Sequence, residues 1–185
     1  MWLEKIKNNA TLKLCFLSVF VIGFIAHGYC FANLTISHDS LGEFFSSGWV
    51  VEHKASLGRF FRQVYVVLVR GNITIPWLIG ILSLFWIAIA TYYMTKIFDI
   101  ENKLDVVVLS GICVTNVSVI STAGTYITDL DVNMFALFLS VLSVYLWKYS
   151  LEEKAKKKFL LLLVASILVL LASGFIRVLF QLRYY

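Results

Sequence analysis

Apolar and polar residues fall in long blocks along this chain. Mainly apolar runs occupy Leu14 to Leu34, about Ile73 to Met94, Val106 to about Thr122, Val132 to Trp147 and Phe159 to about Phe180, the last with Arg177 inside it. Each approaches the roughly 20 residues that a helix needs to cross a bilayer. The pattern therefore predicts five spanning helices joined by short connections, with one long polar loop from Ser37 to Gly71. Inside that loop, Leu57, Phe60, Phe61, Val64 and Leu68 recur at helical spacing, with Arg59, Arg62 and Gln63 off the stripe. Such a segment is expected to lie in the membrane interface as an amphipathic helix. Pro76 sits where a helix tolerates it, in the first turn of the second span. Trp77, Tyr92 and Tyr93 are placed as interfacial anchors. The third span carries Ser110, Thr115, Asn116, Ser118 and Ser121, a polar face expected to pack against other helices.

Lys5, Lys7 and Lys13 precede the first run in the manner of a signal peptide, but a signal core covers about 7 to 15 residues. The first run is longer, so an uncleaved helix is expected. Composition agrees: of 185 residues, 60% are hydrophobic and 15% charged, with one proline and a mean hydropathy of +0.85. These values exclude a soluble domain of this size and leave an all-α, polytopic membrane protein, residues 1–185 forming one membrane domain with the bilayer as its first partner. Cys15, Cys30 and Cys113 are an odd set and make no disulfide framework.

The net charge of +5 raises the question of nucleic acid. The lysines, however, flank apolar runs, where charge sets orientation, and no nucleic-acid partner is expected. With the N-terminus in the cytoplasm, ten Lys lie inside, whereas Lys54, Arg59, Arg62, Arg70, Arg177 and Arg183 lie outside. All five arginines thus share the predicted outer face. Arginine offers a planar fork for phosphate and carboxylate, so this face is where a phosphate ligand is sought.

Within it, Asp39 stands just beyond the first span. It is able to serve as general base toward a sugar hydroxyl, or to cap a short helix beginning at Ser40. Arg59 and Arg62 are three apart and share a helix face. They are candidates for a donor phosphate clamp, the alternative being arginines that snorkel to lipid headgroups. Asp129 and Asp131 face the same compartment, as ligands of an acceptor sugar or a metal, or as helix caps. His27 and His53 stand alone without ligand spacing. No cofactor is expected, with a divalent metal left open.

The run His38-Asp39-Ser40-Leu41, then Ser47-Gly48-Trp49, then Leu57-Gly58-Arg59-Phe60 and a proline-started span resembles the N-terminal part of the Gtr-type O-antigen glucosyltransferases. Thr125-Tyr126-Ile127-Thr128-Asp129, leading into Asn133-Met134-Phe135-Ala136-Leu137, resembles the family's second outer loop and fourth span. These are polytopic bacterial enzymes of the broad GT-C architecture. The resemblance implies transfer of glucose from a polyprenyl-phosphate donor to a surface polysaccharide such as O-antigen, at the outer face of the cytoplasmic membrane. It places the acidic catalytic residue on Asp39, with Arg59 and Arg62 stabilising the leaving phosphate and His38, Asp129 and Asp131 as candidate substrate contacts. Family members more often carry two adjacent acidic residues where this chain has His38-Asp39, which implies a single base. They are also longer, so the resemblance is to a truncated enzyme lacking its C-terminal part. The rival expectation is a small non-enzymatic membrane subunit or transporter-like module. Against that rival stands the 35-residue outer loop with Arg and Asp together.

Overall fold

The computed structural model describes residues 2–33, 58–71 and 73–175, with side chains from Ala10 onward. All the regular structure among them is helical. In chain order the helices are α1 (Trp2–Ala32), α2 (Phe60–Arg70), α3 (Pro76–Ile97), α4 (Lys103–Thr115), α5 (Val117–Thr125), a 3₁₀ turn (Ile127–Asp129), α6 (Leu130–Ser150) and α7 (Ala155–Phe175). Five segments are long and apolar enough to cross a membrane: Ala10–Ala32, Pro76–Ile97, Lys103–Thr125, Ile127–Ser150 and Ala155–Phe175. The chain is a multi-pass membrane protein.

Local chemistry sets the helix ends. Pro76 opens α3 at the position where its missing N–H costs nothing. Asn102 caps α4 by accepting from the Leu104 N–H at 3.2 Å. Gly71 closes α2 in the left-handed region, φ 58°, and its N–H bonds the Val67 carbonyl at 3.1 Å. At the far end of α3 the Lys148 ammonium donates to the carbonyls of Lys96 and Ile97 and to Asp99 Oδ2 at 2.6 Å. That cation answers the negative end of the helix dipole.

The core lies where α3 packs against α1 and α6, while α7 packs on α6 and α4 on α1. Val19, Phe31, Ile79, Leu84, Ile87 and Leu130 are nearly inaccessible there. The α1–α3 contact depends on two missing side chains. A Cβ on Gly80 would run into the Phe31 ring, and one on Gly23 would run into the Leu84 side chain. Each glycine thus seats a large residue of the opposite helix, the close approach typical of membrane helix pairs.

Two features depart from the sequence pattern. The third span is not one helix: Asn116, at φ −68° and ψ 155°, both ends α4 and caps α5. Its amide donates to the Cys113 carbonyl at 2.7 Å and its side-chain oxygen accepts from the Val119 N–H at 3.1 Å. The break leaves the Val114 carbonyl without a helical partner, and buried His27 Nε2–H donates to it at 2.9 Å. A backbone acceptor inside a bilayer has to be met by the protein itself, and His27 meets it. The polar face of this span is also only partly inward. Ser110 is buried, but Thr115, Ser121 and Thr125 are exposed and Thr122 partly so. Their hydroxyls donate to carbonyls of their own helix, Thr115 to Gly111, Ser121 and Thr122 to Ser118, and Thr125 to Ser121, so the face needs no second helix to satisfy it.

Gly80→Val should lose about 1–3 kcal/mol of stability by overpacking against Phe31. Thermal unfolding of the purified protein in detergent, with Gly28→Val as the control where nothing stands within 4 Å of an added Cβ, checks this.

Candidate functional site

At the bundle end where α3 and α6 begin, α2 lies against α6 and α7. Its orientation is the reverse of a water-facing amphipathic helix. Phe60, Val64 and Leu68 point away from the protein and Phe61 lies partly exposed along α7, whereas Arg62, Tyr65, Val66 and Arg70 are buried. Over Phe60 to Leu68 the apolar stripe predicted from spacing is present, on the exposed side of α2. The arginines off the stripe are turned inward.

What receives them is the 3₁₀ turn and the first turn of α6. Arg59 Nη1 donates to Asp129 Oδ2 at 2.8 Å and Arg62 Nε to Asp129 Oδ1 at 2.5 Å. Two guanidiniums from one helix face thus divide the two oxygens of one carboxylate. Asp129 is 1% exposed, and the Arg59 side chain, at 21%, is where the group opens outward. Arg70 forms a second, looser pair: its Nε lies 3.4 Å from Asp131 Oδ2, and Nη2 donates to the Thr128 carbonyl at 3.1 Å. Arg70 and Asp131 are both buried. The Nε and Nη1 of Arg70 find no hydrogen-bond partner among the described residues.

Aromatic packing holds α2 in this register. Trp86 of α3 donates its indole N–H to the Tyr65 hydroxyl at 2.8 Å. Tyr65 also packs on Phe135 of α6 and Phe175 of α7, with ring centroids 5.0 and 6.3 Å away. Burial, followed by the nearby Asp131 carboxylate, pushes the Tyr65 phenol well above its ordinary range. It stays protonated, and with its oxygen accepting from Trp86 its own proton is available to an acceptor. Gly174 of α7 allows the Phe61 ring to lie directly over the backbone.

The structure brings together Arg59, Arg62, Asp129 and Asp131 of the residues singled out from the sequence. Asp129 precedes α6 at the N-cap position but makes no side-chain capping bond: its backbone, at φ −107° and ψ 0°, is not the extended one of a capping residue, and its carboxylate is turned to the arginines. His38 and Asp39 lie outside the described residues, as do His53, Arg177 and Arg183. Sequence reasoning passed over Arg70, Tyr65 and Trp86. Arg70 was within reach of it: eleven residues after Arg59, it returns to the same face after about three turns. Among the described residues no three His, Cys, Asp or Glu side chains gather as a metal-holding group. Chemically, the arrangement sets three arginines against two carboxylates and one carbonyl among the described residues.

Removing one member of the inner pair should be costly and removing both cheap. Asp131→Ala should destabilise the protein by about 3–5 kcal/mol, whereas Arg70→Met combined with Asp131→Leu should come close to wild type. Unfolding midpoints of Arg70→Met, Asp131→Leu and the double variant measure the coupling.

Residues 28–181 match the family model described as Glucosyl transferase GtrII. No curated protein and no solved structure matches the chain.

Proposed function

Because the chain belongs to the GtrII glucosyltransferase family, we propose that it works as a membrane glucosyltransferase, taking glucose from a polyprenyl-phosphate donor and passing it to a cell-surface polysaccharide such as O-antigen. The observation that carries the site is the convergence of Arg59 and Arg62 on one oxyanion at an end of the bundle. Planar guanidinium forks that grip a carboxylate in this way also suit a phosphate. The polyprenyl tail of such a donor would lie in the bilayer, beside the exposed stripe of α2.

The chemistry that this reading requires is a single displacement with inversion. A hydroxyl of the acceptor loses its proton to a general base as its oxygen forms a bond to the anomeric carbon. The bond from that carbon to the phosphate oxygen breaks, and the electron pair leaves with the polyprenyl phosphate. Asp39 is the proposed base. Arg59 and Arg62 are proposed to stabilise the charge gathering on the leaving phosphate. His38, Asp129 and Asp131 are the proposed polar surroundings of donor and acceptor. This reading sets the α2 end of the bundle on the outer face of a bacterial cytoplasmic membrane, in keeping with the lysine excess at the opposite end.

Two measurements test it. In membranes supplied with polyprenyl-phosphate glucose, Asp39→Asn should lower glucose transfer by at least about a hundredfold, the lower end of general-base effects. Arg59→Lys and Arg62→Lys should weaken donor binding while keeping the charge; wild-type transfer by Asp39→Asn would remove it as base. For orientation, a membrane-impermeant thiol reagent applied to intact cells should label Ile73→Cys, which is exposed beside α2, and spare Glu152→Cys. The reverse pattern would invert the topology.

A further inference from the structure

Phe31 of α1 packs over Gly80 of α3, so the later end of α1 lies at the start of α3 and Ala10 lies at the end of the bundle away from Arg59. There α1 and α4 border a groove of about 500 Å³ that no step of the proposed reaction uses. We propose that this groove holds an anionic glycerophospholipid, with its phosphate between the Lys13 and Lys103 ammonium groups and one acyl chain laid along Leu14, Leu17 and Val106. The inference stands apart from the donor assignment and survives or fails without it.

Helical spacing builds the groove. On α1, Ala10, Lys13, Leu14 and Leu17 fall at i, i+3, i+4 and i+7 and so share one face. On α4, Lys103 and Val106 are three apart and meet that face. Val106 is buried, whereas Leu17 is 63% exposed. The apolar side of the groove is therefore open to the acyl layer, and its charged side is at the rim.

The lysines stand at the right depth for a headgroup. The segments able to cross a membrane begin at Ala10 and at Lys103, which sets both ammonium groups near the border of the apolar layer. Both residues are exposed, and neither enters an ion pair among the described residues. Other lysines at this end do, Lys148 with Asp99 and Lys157 with Glu153. Thr11 and Glu101 complete the rim, each engaged in an interaction of its own. A lysine carries its charge on a long apolar stem, so its methylenes stay with acyl chains while the ammonium reaches a phosphate. Basic pockets between membrane helices select anionic headgroups in this way. A soluble anion would use the two charges and leave Leu14 and Leu17 without a partner, so the groove as a whole fits a lipid better.

Native mass spectrometry of the purified full chain in detergent, titrated with phosphatidylglycerol and in parallel with phosphatidylcholine, tests the site. Wild type should hold phosphatidylglycerol about tenfold or more tightly than phosphatidylcholine, because each lysine at a membrane surface contributes about fivefold. Lys13→Gln combined with Lys103→Gln should lose most of that preference. Lys154→Gln combined with Lys156→Gln removes the same charge from the same end, outside the groove, and should keep it. Ala10→Trp retains both lysines but fills the groove, and should also weaken phosphatidylglycerol binding; thermal unfolding without added lipid verifies the fold of each variant. Equal binding of the two lipids by wild type, or equal losses in the two lysine pairs, would reduce the site to diffuse surface charge and overturn the proposal. Undiminished binding by Ala10→Trp would place the lipid elsewhere. Glycerol phosphate bound as tightly as phosphatidylglycerol would make the groove a site for a soluble anion and overturn the lipid assignment.

Discussion

An arginine cannot shed its charge inside a protein, so every guanidinium taken toward the bilayer obliges the fold to bring an acceptor to it. Here the obligation falls on three residues of one short helix. Arg59, Arg62 and Arg70 are met by Asp129, Asp131 and the Thr128 carbonyl, all contributed by the junction between the 3₁₀ turn and α6. That junction fixes where α2 can lie, and the aromatic contacts of Tyr65 with Trp86, Phe135 and Phe175 settle its rotation. The same demand explains His27. A helix that breaks within a span exposes a carbonyl, and the neighbouring span supplies the donor.

The pairs differ in ways that assign them different work. Arg59 and Arg62 meet Asp129 at short range, with one guanidinium open to the outside. Arg70 and Asp131 are buried at a longer distance, and Arg70 keeps unpartnered nitrogens among the described residues. A buried ion pair of that kind contributes little net stability but is expensive to break from one side. It therefore acts as a register pin for α2. The outer group is the tighter of the two, and Arg59 is its one partly exposed member among the described residues.

The gross architecture could be read from the blocks of apolar residues, because a span needs only length and low charge. Five spans were expected, and five segments of suitable length and composition are present, with Pro76 opening α3 and an amphipathic helix in the predicted place. Periodicity also gave the apolar stripe of α2 correctly, but it could not say what the other face would meet. A lone amphipathic helix puts its polar face in water; this one has the first turn of α6 to face instead, which only tertiary structure reveals. The same holds for Asp129. From the chain it reads as an N-cap, and it occupies that position, yet its carboxylate is drawn away by arginines 67 and 70 residues earlier. Asn116 is a further case. In a run of apolar and hydroxyl residues a single Asn does not predict a break, and the break depends on His27, 87 residues away from the carbonyl it serves.

The Arg–Asp junction also ties folding to ligand chemistry. Under the proposed function, opposite charges paired in a low-dielectric site would hold the arginines where a donor phosphate needs them, with little reorganisation left to make. A site of neutral residues would avoid the cost of burying charge, but it would offer a phosphate nothing. A site of arginines alone would attract an anion, but the helix carrying them would be repelled from the bundle before the anion came. Supplying the counter-charge from the chain itself removes both difficulties. Asp129 supplies it here from the 3₁₀ turn that leads into α6, where one carboxylate reaches both Arg59 and Arg62.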